Sequence, residues 1–193
     1  MKKILILLFT FWVTTLTFTQ TKEHLSFKGV PIDGTLNEYV TIMRENNFTL
    51  IEMNDGLALL EGDFAAYKDC IIAVATLDQM DLVSKITVIF PKSRKWSSLS
   101  SNYYNLKELL IEKYGEPSEI VEKFDTHSEP KDDNSKMHEV GMDRCKYYTC
   151  FELENGTIQL SIENDGFLSS FVMLSYFDKI NSDVIRQEAI DDL

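Results

Sequence analysis

Histidine, cysteine and positive charge are scarce in this chain, and each scarcity narrows what it can do. The only imidazoles are His24, His127 and His138. None stands beside a glycine-flanked serine, and there is no G-x-S-x-G, so a hydrolase built on a serine–histidine pair is not expected. There is no H-E-x-x-H, no C-x-x-C and no complete D-x-[DN]-x-[DN]-G loop, and therefore no expected metal site. Asp132-Asp133-Asn134 reads as a solvated cluster and Asn164-Asp165-Gly166 as a turn. Phosphate-cradling glycine motifs are also missing, and no cofactor is expected. With 19 Lys and Arg against 31 Asp and Glu, the net charge is −12. Such a balance repels nucleic-acid phosphates and anionic lipid heads, so neither is an expected partner.

The three cysteines, Cys70, Cys145 and Cys150, cannot close a full disulfide framework. Cys145 and Cys150 are an odd number of residues apart, so on one strand they face opposite sides and cannot bridge each other. If a disulfide forms, it joins Cys70 to Cys145 or Cys150; the alternative is three buried thiols acting as small hydrophobes.

Long apolar runs are absent except at the start. Lys2 and Lys3 precede an apolar stretch from Ile4 to Val13, and a threonine-rich zone ends near Thr19 and Gln20. This is the layout of a secretory signal over residues 1–20, too short to span a bilayer, which takes about 20 apolar residues. Its removal takes away two lysines and no acid, leaving 173 of the 193 residues with a net charge of −14. The expected product is exported, periplasmic or secreted, with no stable membrane insertion afterwards. No cysteine lies near the expected cut, so no lipidated N-terminus is expected.

What is present is a pattern met twice. Thr35 and Glu38 form a capping box ahead of a helix over 37–47, with Leu36, Tyr39, Val40 and Met43 at helical spacing. Strand-like runs follow over 49–53, 57–67, 70–77 and 83–90, with Asn54-Asp55-Gly56 as a hairpin turn. A second helix over 98–114, stopped by Gly115 and Pro117, precedes runs over 118–124, 144–154, 157–163 and 169–177. Asn155-Gly156 reads as another hairpin turn. Apolar positions of the two halves superpose at constant offsets: Ile72 and Val74, for example, align with Ile158 and Leu160.

The expected fold class is therefore α+β, with two tandem repeats. Each is a helix, or helix pair, packed on an antiparallel sheet of about four strands. The first repeat spans 21–92 and the second 93–180. A polar, solvated insertion lies near 126–140, and 181–193 is a C-terminal tail.

This order resembles the beta-lactamase-inhibitor-protein-like fold, which small outer-membrane assembly lipoproteins share in single copy. The chain is also similar to uncharacterised secreted or periplasmic proteins of gut Bacteroidetes. The residues behind the likeness are Phe27 to Gly34, Phe48, Trp96, Leu99, Tyr103, Leu106, Tyr114-Gly115 and Pro117. The resemblance implies a non-catalytic fold used to bind other proteins, and it carries over no catalytic residue.

Trp96, Tyr103, Tyr104, Tyr147 and Tyr148 are the candidate binding residues. Adjacent tyrosines cannot share one face of a helix or strand, so one of each pair is expected to be exposed. The leading expectation is a non-catalytic module that binds an unknown protein of the cell envelope or exterior. The alternatives are a small-molecule or glycan-binding module with an aromatic cleft at Trp96, and a secreted hydrolase using a carboxylate pair.

Overall fold

The computed structural model describes residues 23–193 apart from 78–79, 167–168 and 192. The expected signal peptide lies outside the described residues. A small hairpin opens the fold, with strands β1 (Ser26–Phe27) and β2 (Val30–Pro31). Helix α1 (Leu36–Glu45) follows behind the capping box, in which Thr35 and Glu38 satisfy each other's backbone N–H groups. Four strands come next: β3 (Thr49–Asn54), β4 (Leu57–Phe64), β5 (Tyr67–Leu77) and β6 (Met80–Ile89). The second half holds helix α2 (Trp96–Tyr114), strand β7 (Glu119–Phe124), helix α3 (Asp133–Gly141) and strands β8 (Cys145–Leu153), β9 (Gly156–Asn164) and β10 (Ser170–Asp178). Helix α4 (Lys179–Asp191) comes last.

The fold is thus α+β, and strands β3 to β10 make one continuous antiparallel sheet rather than two separate ones, apart from the small β1–β2 hairpin. Their order is β3-β4-β5-β6-β10-β9-β8-β7, so each half is a four-strand meander and the two join through β6 and β10. Val88 pairs with Leu174 and Ile86 with Tyr176 across that junction. The constant offset between the halves would pair Leu160 with Val172, whereas the sheet pairs Leu160 with Leu174. The second hairpin is two residues longer. An even shift keeps every side chain on its own face, so the apolar alternation survives it.

Alternation decides the core. Ile72, Val74, Ile86, Val88, Ile158, Leu160, Val172 and Leu174 all point to one face and are buried. Apolar stripes of α1 (Tyr39, Val40, Met43) and α2 (Leu99, Tyr103, Leu106), with Val140 of α3, join them in one cluster. No helix among the described residues is long and apolar enough to cross a membrane.

Two segments depart from the expected layout. The insertion expected over 126–140 contains α3, whose N-terminus is capped by Asp132 and whose Val140 is buried. A single apolar anchor in a polar segment gives too weak a period to be read as a helix. The tail expected over 181–193 is mostly α4, which leans on the sheet through Asn181 and Ile185 and is exposed from Arg186 to Asp191.

What seats α4 is a buried polar hub. Asp178 is fully buried and its carboxylate accepts from the backbone N–H of Leu25 (2.8 Å) and of Asn181 (2.8 Å), with His24 Nδ1 at 3.2 Å. Asn181 Nδ2 reaches the carbonyls of Ile32 (3.1 Å) and Val83 (2.8 Å). One carboxylate thereby caps α4 and ties the N-terminal segment to the end of the sheet.

The turn between β4 and β5 is strained at two successive residues. It consists of Ala65 and Ala66, both at positive φ (50° and 67°). A two-residue hairpin needs that geometry, which glycine or asparagine adopts far more readily. Ala66 is exposed. Ala66→Gly is expected to raise stability by about 1 kcal/mol in urea unfolding; unchanged or lower stability would show that the turn is relaxed.

Candidate functional site

Side chains opposite the core form a second, outer face of the sheet, which none of α1, α2 or α3 covers. The register arranges them in rows that run across the strands. A middle row passes from Glu52 through Leu59 and Ala73 to Thr87. It continues through Ser175 and Gln159 to Cys150 and Glu119. Its centre is built of small residues, and Thr87 and Ser175 are linked through their hydroxyls at 3.2 Å.

On one side of this row stand Ile71, Ile89 and Met173, followed by Ser161 and Tyr148. On the other side Lys85 is opposite Phe177, its ammonium 4.8 Å from the ring centre. Ile71, Ile89, Met173 and Phe177 are half-buried, with apolar surface facing outward. A line of small residues flanked by longer ones leaves a shallow trough, lined by hydroxyls at its centre, apolar along the flank of Ile71, Ile89 and Met173, and ended by Glu52 and Glu119. Ser161 Oγ, buried within this face, has no hydrogen-bond partner among the described residues. A buried hydroxyl left unpaired is costly, and a partner group reaching it would recover that cost.

The two tyrosine pairs divide as their spacing requires, one member of each being buried, whereas Trp96 does not line a cleft. Trp96 is 6% exposed and packs against Phe124 and Tyr147 at centroid distances of 5.0 and 5.1 Å. Its ring is used in the core, where it closes the gap between α2 and the far strands, so it offers no platform to a ligand. Tyr103 and Tyr147 are likewise buried. The Tyr103 hydroxyl is 2.6 Å from Thr149 Oγ1, and burial holds both phenols well above their ordinary pKa. Tyr104 is 37% exposed, with its hydroxyl 3.5 Å from Glu122, which also pairs with Lys107. Tyr148 lies on the outer face and donates to Glu119 at 2.9 Å. Of the five candidates, only Tyr148 belongs to the trough.

The cysteine pairing is also corrected. Cys70 is on β5, whereas Cys145 and Cys150 are on β8, four strand positions away. At about 4.8 Å per strand this is roughly 19 Å, far beyond the reach of a disulfide. All three thiols are free. Burial pushes the Cys70 thiol up to about 11 and the Cys145 thiol up to about 12. Little thiolate exists there at neutral pH. Iodoacetamide at pH 8 is expected to modify Cys70 and Cys145 at least tenfold more slowly in the folded protein than in urea. Equal rates would place these thiols in solvent.

His24 sits between two carboxylates rather than beside a nucleophile. Nδ1 faces Asp178 at 3.2 Å and Nε2 faces Asp33 at 3.6 Å. Between two carboxylates it serves as a tie, and no hydroxyl or thiol nucleophile bonds to it among the described residues. Among those residues there is also no cluster of three or more acidic, histidine or cysteine side chains able to hold a metal ion. Sequence reading missed the trough because its rows depend on strand order, which no local pattern records. Comparison with known proteins leaves the site to speak for itself: no family model, curated protein or solved structure matches this chain.

Proposed function

We propose that this is an exported protein, periplasmic or secreted, that binds another protein of the cell envelope or exterior through the outer face of its sheet and catalyses nothing itself. The observation that supports the reading is the trough: small residues at Ala73, Thr87 and Ser175 beside the half-buried apolar row of Ile71, Ile89 and Met173, with Lys85 and Phe177 on the other side, on the face that α1, α2 and α3 leave open. Apolar patches of this kind, rimmed by polar groups, mark contact surfaces. The matching order of the halves supports the further view that the chain is a tandem of two copies of one helix-plus-four-strand unit. Joining two such units edge to edge doubles the width of the face, which suits a protein partner better than a small ligand. The burial of Trp96 removes the support for the glycan-binding alternative.

The test is affinity capture from envelope extract, comparing the native chain with Met173→Arg. Met173 is half-buried on the outer face, so arginine there changes the surface and spares the core. One protein retained by the native chain, and lost at least tenfold with the variant, is expected. Equal retention by both would move the contact elsewhere. Turnover by the purified protein in a broad hydrolase screen would overturn the non-catalytic reading.

A further inference from the structure

The sheet has a second feature, separate from its outer face, that fits a partner of definite chemistry: the free edge at β3. Four of the large apolar side chains that remain exposed lie around this corner. Ile51 is 53% and Met53 41% exposed, with Leu57 in the next strand and Ile42 on α1, which packs over β3. The register assigns β3 side chains to opposite faces. Leu50 and Met53 pair with Leu60 and Ala58 on the core side, whereas Thr49 and Glu52 pair with Glu61 and Leu59 on the outer side. Beside the start of the strand, where α1 ends, a cavity of about 680 Å³ opens, lined by Arg44, Glu45, Phe48, Thr49 and Leu50.

We infer that this edge accepts an extended, cationic segment of another protein as a ninth strand. Main-chain groups on the free side of β3 supply the hydrogen bonds of strand addition. The side chains set the sequence that fits. Residues of the incoming strand beside Leu50 and Met53 are apolar. Those between them lie beside Glu52, with Glu61 one strand further in. Glu45, Glu52 and Glu61 have no ion-pair partner among the described residues, although Glu52 accepts from Asn54 Nδ2 at 2.7 Å. Alternating lysine and apolar residues complete both faces at once.

A second copy of this chain fits poorly. Edge-to-edge pairing of two β3 strands sets glutamates against glutamates, in molecules that each carry a net charge of −12. The register shift between Leu50 and Glu52 also bends the edge. A flexible segment follows such a bend, and a rigid copy of the same bent edge does not.

The experiment titrates the full chain with an acetylated eight-residue peptide alternating lysine and valine, read by backbone amide NMR. Two control peptides carry glutamate in place of lysine, or N-methyl groups on alternate amides. The lysine peptide is expected to bind with shifts confined to Thr49–Asn54 and its surroundings, and each control to bind at least tenfold more weakly. Glu52→Lys, an exposed change, is expected to reverse the preference in favour of the glutamate peptide. Absent binding, indifference to N-methylation, or shifts on the outer face around Met173 would each overturn the inference. The first two of these leave the Met173→Arg capture untouched and the third would favour the outer face, so the two ideas fail separately.

Discussion

Asp178→Ala is expected to lower stability by about 4 kcal/mol, more than any other single polar change in the fold. The carboxylate is fully buried and holds two backbone N–H groups, those of Leu25 and Asn181. Alanine accepts nothing, so both donors are left unpaired away from water, at about 1–3 kcal/mol each, and the cap of α4 goes with them. His24, facing two carboxylates, loses one of them. Asp178→Asn keeps one accepting oxygen but turns an amide N–H₂ towards a donor, so it should fall between wild type and alanine. Urea unfolding checks the order. A loss under about 1 kcal/mol for the alanine variant would show that the hub is dispensable, with water replacing the carboxylate.

The second large effect is expected at Gly156. Sequence reading gives this glycine a turn, but it is the first residue of β9, beyond the turn at Glu154 and Asn155. Its role is clearance: a Cβ there would lie 2.2 Å from the carbonyl oxygen of Phe177 and 3.0 Å from a methyl of Leu25. The carbonyl is backbone in the neighbouring strand β10, so it cannot rotate away. Gly156→Ala must pry β9 from β10 and is expected to cost about 3 kcal/mol or more. Gly166 provides the contrast. It has a positive φ of 85° and open space around it, so alanine there is expected to cost only about 1 kcal/mol of backbone strain. Measured side by side in urea, equal losses at the two positions would refute the clearance argument.

These residues show what could be read in the sequence. The capping box at Thr35 and Glu38, the apolar stripe of α2 and the Asp55-Gly56 turn are local signals, and each sits where its chemistry requires. The Ala65-Ala66 turn was invisible because alanine carries no turn signal; the strand expected over 57–67 is broken there by tertiary pairing. Helices α3 and α4 bury one or two side chains each, too few for a periodic signature. Asp178 falls just past the strand expected over 169–177, and only the folded chain brings Leu25 to it across 153 residues.

The candidate site was half legible. Alternation predicts that Thr87 shares a face with Lys85 and Ile89, and Ser175 with Met173 and Phe177. Nothing in the sequence announces that β6 and β10 are neighbours, and the trough exists only because they are. The aromatic residues misled for the opposite reason. Trp96, Tyr103 and Tyr147 drew notice as binding groups, yet large aromatics bury the most apolar area and were used to fill the core beneath α2.

The central claim is that the outer face, not the helical face, meets a protein partner. A photo-crosslinking residue placed at Gln159 on the outer face, and separately at exposed Leu109 on α2, tests it in intact cells. A single discrete crosslinked protein from position 159, absent from position 109, is the predicted result. A crosslink from position 109 alone, or the same product from both, would contradict it.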